Sequence, residues 1–213
     1  AMVSNGWLTA GEHRLYDGVY SRDYTGGCKV EATGAVGEAV ELIAGVQGNY
    51  IDGSVRNRIE KTAEQVIPMK DGALYGQATL FPCRRLQAVV GGRALYSDPY
   101  GFVPLYKCGI RWELFDTLTL HTHLSRNFRQ PTLRELYLPF PTANPGLRPE
   151  YAMNWDGGAE LRWKKVRLGC TVFRTRATDL IKYFGAWPTA EVVNIDEINV
   201  WGTDVSAAVM DIR

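Results

Sequence analysis

The sequence predicts an all-β protein, an antiparallel up-and-down transmembrane β-barrel wall in which about ten strands are recognisable. Three observations carry that expectation. Apolar and polar residues alternate with a period of two along most of the chain, the mark of strands with two unlike faces. Many of these runs exceed the ~5–6 residues usual in a soluble sheet and reach the roughly 9–11 that a tilted strand needs to cross a bilayer. Short and long connections also alternate, as tight turns at one rim and longer loops at the other require.

In chain order the strands are expected near 12–20, 27–35, 38–50, 72–81, 85–97, 103–114, 117–127, 151–163, 165–183 and 192–210. The third carries Val40, Leu42, Ala44, Val46, Gly48 and Tyr50 on one phase, against Glu41, Gln47 and Asn49. The sixth sets Tyr106, Cys108, Ile110, Trp112 and Leu114 against Lys107, Gly109, Arg111 and Glu113. In the seventh, Leu118, Leu120 and Leu124 oppose Thr119, His121, His123 and Ser125. The eighth opposes Met153, Trp155, Leu161 and Trp163 to Asn154, Asp156, Glu160 and Arg162. In a membrane barrel the apolar phase meets lipid and the polar phase meets the lumen. Tyr50, Tyr96, Trp112, Phe128, Tyr151 and Trp163 fall near strand ends, where amphipathic rings form interfacial girdles. Short connections are expected at 36–38, 81–84, 115–116 and 163–165, and long ones at 51–71, 98–102, 128–150 and 184–191, in strict alternation from residue 36 onward.

Composition narrows the function classes. The chain has 213 residues, 46% of them hydrophobic, and a formal net charge of +1, so nothing favours nucleic acid as a partner. No run of eighteen apolar residues encodes a transmembrane helix, and the first residues carry no signal-peptide pattern. Neither absence bears on a barrel, whose strands alternate. Cys28, Cys83, Cys108 and Cys170 are far apart, with no C-x-x-C spacing and no neighbouring histidine, and read as small hydrophobes more than as a disulfide or a zinc site.

Residues 128–150 form the most distinctive segment. It contains Phe128-Arg129-Gln130-Pro131, then Glu135-Leu136-Tyr137, then Asn144-Pro145-Gly146-Leu147-Arg148-Pro149-Glu150. Thr132 and Glu135 have capping-box spacing, so one helical turn is expected after Pro131. Pro139, Pro141, Pro145 and Pro149 prevent a longer helix. This element resembles the signature of TonB-dependent outer-membrane receptors of the siderophore and cobalamin type. Further matches follow in order: Gly158 within Asp156-Gly157-Gly158, Phe173, Asp179-Leu180-Ile181, Asn194, and Gly202-Thr203-Asp204. Gln130 stands where the family usually has alanine, and Asp156 and Asp204 where it has glutamate.

The resemblance implies a partial barrel domain over residues 1–213 of a larger barrel of about twenty-two strands, without a plug domain or the C-terminal strands. It further implies a bacterial outer-membrane location, uptake of a ferric siderophore or cobalamin-like chelate, and coupling to the TonB complex through a plug. No cofactor is implied, and the partners are the chelate and membrane lipid. The family residues Phe128, Arg129, Pro131, Glu135, Leu136, Tyr137, Asn144, Pro145, Leu147, Pro149 and Glu150 are expected to brace the mouth of the barrel.

Candidate ligand-binding residues are His121, His123, Arg129, Arg134, Tyr137 and Trp187. The two histidines share the lumen phase, where imidazole is a potential metal or haem ligand, although polar lining is the simpler expectation and residues 132–143 contain no histidine. Arginines at the loop suit anionic chelates, but internal pairing with Glu135 and Glu150 is favoured. The sequence lacks nucleophile-elbow, zincin, P-loop and dinucleotide motifs, so no enzyme is expected. A surface protease of the omptin kind would need Asp98 or Asp116 beside a histidine, and the two aspartates are expected on opposite rims. The remaining alternative is a self-contained ten-strand barrel acting as an adhesin or binding module.

Overall fold

The structure is a computed structural model and describes residues 2–16, 19–57, 62–65, 68–137, 143–186 and 190–209. These residues form one antiparallel sheet of eleven strands. The strands are β1 (Met2–Tyr16), β2 (Val19–Val36), β3 (Val40–Asn57), β4 (Thr62–Gln65), β5 (Met69–Cys83), β6 (Leu86–Asp98), β7 (Gly101–Phe115), β8 (Leu118–Arg129), β9 (Glu150–Trp163), β10 (Val166–Phe184) and β11 (Glu191–Val209). One short helix, α1 (Leu133–Tyr137), lies between β8 and β9. Each strand pairs with its sequence neighbours in a meander, except that the short β4 pairs only with β3 and β5 takes the next place beside β3. The path is open, so β1 and β11 each have one neighbour among the described residues.

Register reveals tilt. Leu86, beside one turn, pairs with Trp112, well above the following turn, and Leu118 beside that turn pairs with Leu161. This repeated stagger is the shear that inclines strands in a barrel wall.

The two faces differ as alternation requires. The inner face carries Gln47, Tyr75, Arg93, Lys107, His123 and Asn154, with Thr79, Ser97, Thr119 and Ser125 buried on it. On the outer face Leu74, Val90, Ile110, Trp155, Leu168 and Val205 are exposed. On β3 the outer phase is uncharged from Val40 to Tyr50, with Asp52 the first charge, and on β8 it is uncharged from Leu118 to Leu124, with Arg126 the first. All four cysteines are free; Cys28, Cys108 and Cys170 stand on the outer phase.

A repeated device appears on the inner face. Four rings each lie on a glycine directly across the ladder: Trp7 on Gly27, Tyr75 on Gly45, His121 on Gly158, and Phe173 on Gly202. A Cβ on Gly158 would sit 2.8 Å from His121 Cε1, and one on Gly202 would sit 2.6 Å from Phe173 Cζ. Missing side chains thus make room for rings to lie flat along the wall.

The expected elements need four corrections. Residues 12–20 are not one strand: β1 ends at Tyr16 and β2 begins at Val19. The dipeptide Asp17-Gly18, a strong hairpin signal, stands between them in the sequence. β2 fills the gap expected between 20 and 27, so the predicted strand 27–35 is only its second half. The expected loop 51–71 is shorter, because β3 continues to Asn57 and β4 pairs back onto it. The connection at 98–102 is a tight turn, Pro99-Tyr100, between β6 and β7, so the strict alternation of short and long connections breaks there. Gly101, at φ 76°, takes the left-handed geometry that closes this turn.

Candidate functional site

Residues 130–137 and 143–149 fold onto the inner face at the rim opposite the short turns. The local geometry follows from the capping box. Glu135 N–H donates to Thr132 Oγ1 at 3.3 Å, while Glu135 Oε2 accepts from Thr132 N–H at 2.8 Å and from its hydroxyl at 3.0 Å. These bonds satisfy donors that the start of α1 leaves without helical partners. Pro131 is fully buried behind them.

Charge fixes the loop to both flanking strands. Arg129, the last residue of β8, donates to both oxygens of Glu135 at 3.2–3.3 Å and to Glu150 Oε1 at 2.6 Å. Glu135 is buried, and Glu150 Oε1 also accepts from Ile181 N–H of β10 at 2.7 Å. One arginine therefore joins the end of β8, helix α1, the start of β9 and, through Glu150, β10. Arg148 pairs with a different acid: its Nε donates to Asp179 Oδ1 at 2.7 Å. Asp179 is at φ 57°, the left-handed region that Asp tolerates better than most residues. Asn194 seals this corner by donating to the Arg148 carbonyl at 2.9 Å and the Asp179 carbonyl at 2.6 Å, while its Oδ1 accepts from Arg148 N–H at 2.9 Å.

Apolar contacts carry the loop across the sheet. Leu136 and Leu147 are buried with Met69 of β5, Ile181 of β10 and Val192 of β11, and Ile51, Leu133 and Tyr137 pack against them. Asn144 Nδ2 donates to the Val192 carbonyl at 2.9 Å. Toward β5 and β6, Gln130 Nε2 donates to Asp71 Oδ2 at 3.1 Å, and its Oε1 accepts from the fully buried Ser97 hydroxyl at 3.0 Å. The loop thus spans the concave side from β3 and β5 to β10 and β11.

Deeper on the wall, a concavity of about 490 Å³ is lined by Glu31, Tyr75, Arg93, Lys107, His123 and Ser125, among others. Tyr75 donates to Glu31 Oε2 at 2.9 Å, and Lys29 pairs with the same oxygen at 2.8 Å. Arg93 donates to Gln47 Oε1 at 3.1–3.2 Å and lies over the Tyr75 ring.

Among the described residues, the candidate ligand-binding side chains do not converge. His121 and His123 stand on the inner wall as expected, with His121 Nε2 3.3 Å from Thr171 Oγ1 and His123 Nδ1 3.6 Å from Asp156 Oδ1. No group of three potential metal ligands forms among the described residues. Arg129 is engaged by Glu135 and Glu150, the internal pairing the sequence favoured, whereas Arg134 is exposed on α1. Tyr137 packs against the cluster under the loop, and Trp187 lies outside the described residues. Asp116 is bound by Arg85 in a short turn, at the opposite rim from Asp98, so among the described residues the aspartates meet neither each other nor a histidine. Gln130 and Ser97 were not foreseen. A buried polar residue on a predicted inner phase, facing a loop glutamine, was the available signal.

An inclined antiparallel wall, polar within, uncharged over a band without, and braced at one rim by an inward-folded loop, defines a segment of a membrane-spanning barrel. Residues 4–210 match the family model described as TonB dependent receptor-like, beta-barrel, and the chain belongs to that family. Members of this receptor and transporter family are outer-membrane proteins of Gram-negative bacteria. No curated protein matches the chain. Among solved structures it is similar to the siderophore receptor PirA from Pseudomonas aeruginosa, with 16% identity, a TM-score of 0.73, and coverage of 95% of this chain and 43% of that one. It is also similar to the copper transporter OprC, with 15% identity, a TM-score of 0.71, and coverage of 89% and 35%. The ferric enterobactin receptor PfeA from Pseudomonas aeruginosa gives 15% identity, a TM-score of 0.67, and coverage of 88% and 33%. The chain therefore spans well under half the length of these structures.

Proposed function

We propose that this chain forms part of the barrel wall and mouth of an outer-membrane importer of a metal chelate, a ferric siderophore or a cobalamin-like compound. The observation that carries the reading is the braced loop element. Arg129, Glu135 and Glu150 lock residues 130–137 and 143–149 over the inner face, so that the rim is held partly covered above a polar wall. Such a frame suits selective admission better than free diffusion, since an unbraced rim would leave the lumen open. The siderophore and copper proteins among the structural neighbours support a metal-bearing cargo. In this account the outer phase meets outer-membrane lipid, the long-loop rim faces outward, and a plug seated against the inner wall engages TonB. The chain's own role is structural, and no catalysis is assigned to it.

The test is uptake by a strain in which the encoding gene is deleted, supplied in turn with ferric siderophores, copper chelates and cobalamin. Loss of energy-dependent uptake of one such class, restored by the intact gene, is the expected result. Unchanged uptake of every class would remove the transport reading.

A further inference from the structure

We propose that the recess in the inner wall edged by Arg93 and Lys107 is an anion-binding step, which selects a negatively charged, oxygen-ligated metal chelate over a neutral one. The proposal rests on the importer reading above and narrows its cargo to a carboxylate or catecholate complex, away from a cobalamin-like compound. The recess holds about 490 Å³, a size that suits a small ligand. Glycine keeps its floor low. Gly91 of β6 pairs with Lys107 of β7, and a Cβ on it would stand 3.2 Å from Lys107 Cε, so the lysine stem lies along the wall there. Above the recess the inner phase of β6 runs from Arg93 through Leu95 to Ser97, which is bonded to Gln130 of the loop. Buried Ala73, Leu95 and Val103 line the stretch between. The recess therefore lies below the covered rim, on the way inward from the mouth.

The charges around the recess are unequally matched. Glu31 accepts from the Tyr75 hydroxyl at 2.9 Å and pairs with Lys29 at 2.8 Å. Asp156, across the ladder from His123, faces that imidazole at 3.6 Å. Arg93, by contrast, sends both terminal nitrogens to one neutral oxygen, Gln47 Oε1, at 3.1–3.2 Å, which leaves its other N–H donors unused. Lys107 is exposed on the inner face and has no hydrogen-bond or carboxylate partner among the described residues. Arg93 pairs with Leu105 and Lys107 with Gly91, so the two cations are diagonal neighbours on adjacent strands, roughly 7–8 Å apart at the backbone. Like charges this close repel, and the groups beside them, Gln77 and buried Ser125, are neutral. An anion seated between the two cations accepts from both, and such charge-assisted bonds are roughly twice as strong as neutral ones. A neutral chelate leaves both charges unmatched. Complementarity of sign is what discriminates the two cargoes.

The test uses two complexes of the same metal and similar size but different charge, a trianionic ferric tricatecholate and a neutral ferric trihydroxamate. In equilibrium dialysis with radioactive iron, the full wild-type chain in detergent should bind the anionic complex about tenfold or more tightly, and less so as salt rises. Equal binding of the two overturns the proposal without any variant having to fold. Inorganic phosphate binding as tightly as the tricatecholate would mean a general anion site and would overturn it too. In the gene-deleted strain, the gene carrying R93Q/K107Q, present in the membrane at the wild-type level, should restore uptake of the anionic complex about tenfold less well than the wild-type gene. R93K/K107R should restore most of it. R111Q/R167Q, an inner-face variant of equal charge change whose arginines are already paired with Glu113 and Glu160, should restore it fully. Full restoration by R93Q/K107Q, or an equal loss in R111Q/R167Q, would contradict the assignment. A deletion that abolishes uptake of the neutral complex alone overturns the charge selection and leaves the importer reading standing. A binding preference without any loss of uptake does the reverse.

Discussion

At the scale of single residues, Arg129 has more depending on it than any other side chain described. It neutralises buried Glu135 and holds Glu150, which in turn receives the Ile181 amide. Glu135 is buried but Arg129 is half-exposed, so solvent screens the pair and its loss costs less than a fully buried pair would, about 1–3 kcal/mol. Arg129→Ala is therefore expected to lower the midpoint of heat- or urea-driven unfolding in detergent markedly, and Arg129→Lys should recover only part, since one ammonium cannot fork to two carboxylates. A loss within experimental error would show that Glu135 finds another partner. Gln130 gives a second case: Gln130→Ala would strip the Asp71 carboxylate and the buried Ser97 hydroxyl of their shown side-chain partner, at about 1–3 kcal/mol. Tyr100, in the turn between β6 and β7, has its phenol pushed up to about 12, by burial first and then by Tyr137 and Glu135 nearby. The neutral phenol is the form the fold favours, so its contribution is complete below the ordinary value of about 10 and is lost as pH rises through about 12. A difference titration of phenolate absorbance, wild type minus Tyr100→Phe, should show the missing group ionising near that higher value; ionisation at the ordinary value would contradict the burial.

At the scale of elements, the alternation in β3, β5 to β9 and most of β10 was legible because each has one polar and one apolar face, so period and register are fixed together. The errors fell where that contrast fails. Around residues 17–27 the turn dipeptide Asp17-Gly18 sits inside an alternating run, and β2 runs through a stretch of small and polar residues that has no face contrast. Asp98, Pro99 and Gly101 have loop composition, yet β6 and β7 continue to within two residues of each other around the turn at Pro99-Tyr100. In the loop, the T-x-x-E spacing disclosed α1 and its cap, and Glu135 and Glu150 were named as candidate partners of arginine. Beyond reach were contacts depending on the third dimension: Arg148 with Asp179, Gln130 with Asp71, and the cluster joining Leu136 and Leu147 to Met69, Ile181 and Val192. Their partners are too distant in sequence for any periodicity to indicate. The ring-on-glycine pairs belong to the same class, since opposing Phe173 to Gly202 requires the register of β10 and β11.

At the scale of the molecule, the proposed importer requires the uncharged phase of the wall to face lipid and the polar phase, crossed by the loop, to face the lumen. In that arrangement hydrophobic burial would come from the bilayer and not from a packed interior, which would account for large apolar side chains such as Trp201, 81% exposed, standing on the surface. The native cysteines give a direct probe. Cys108 and Cys170 lie in the outward band, whereas Cys83 sits beside a short turn at the rim. With the chain reconstituted in sealed vesicles, a membrane-impermeant maleimide applied to both sides should label Cys83 rapidly and leave Cys108 and Cys170 unmodified until the protein is unfolded in detergent. A cysteine introduced at inner-face Lys107 should label in the folded state. Rapid labelling of Cys108 and Cys170 in intact vesicles, with the introduced cysteine protected, would mean that the faces are reversed and the membrane assignment is wrong.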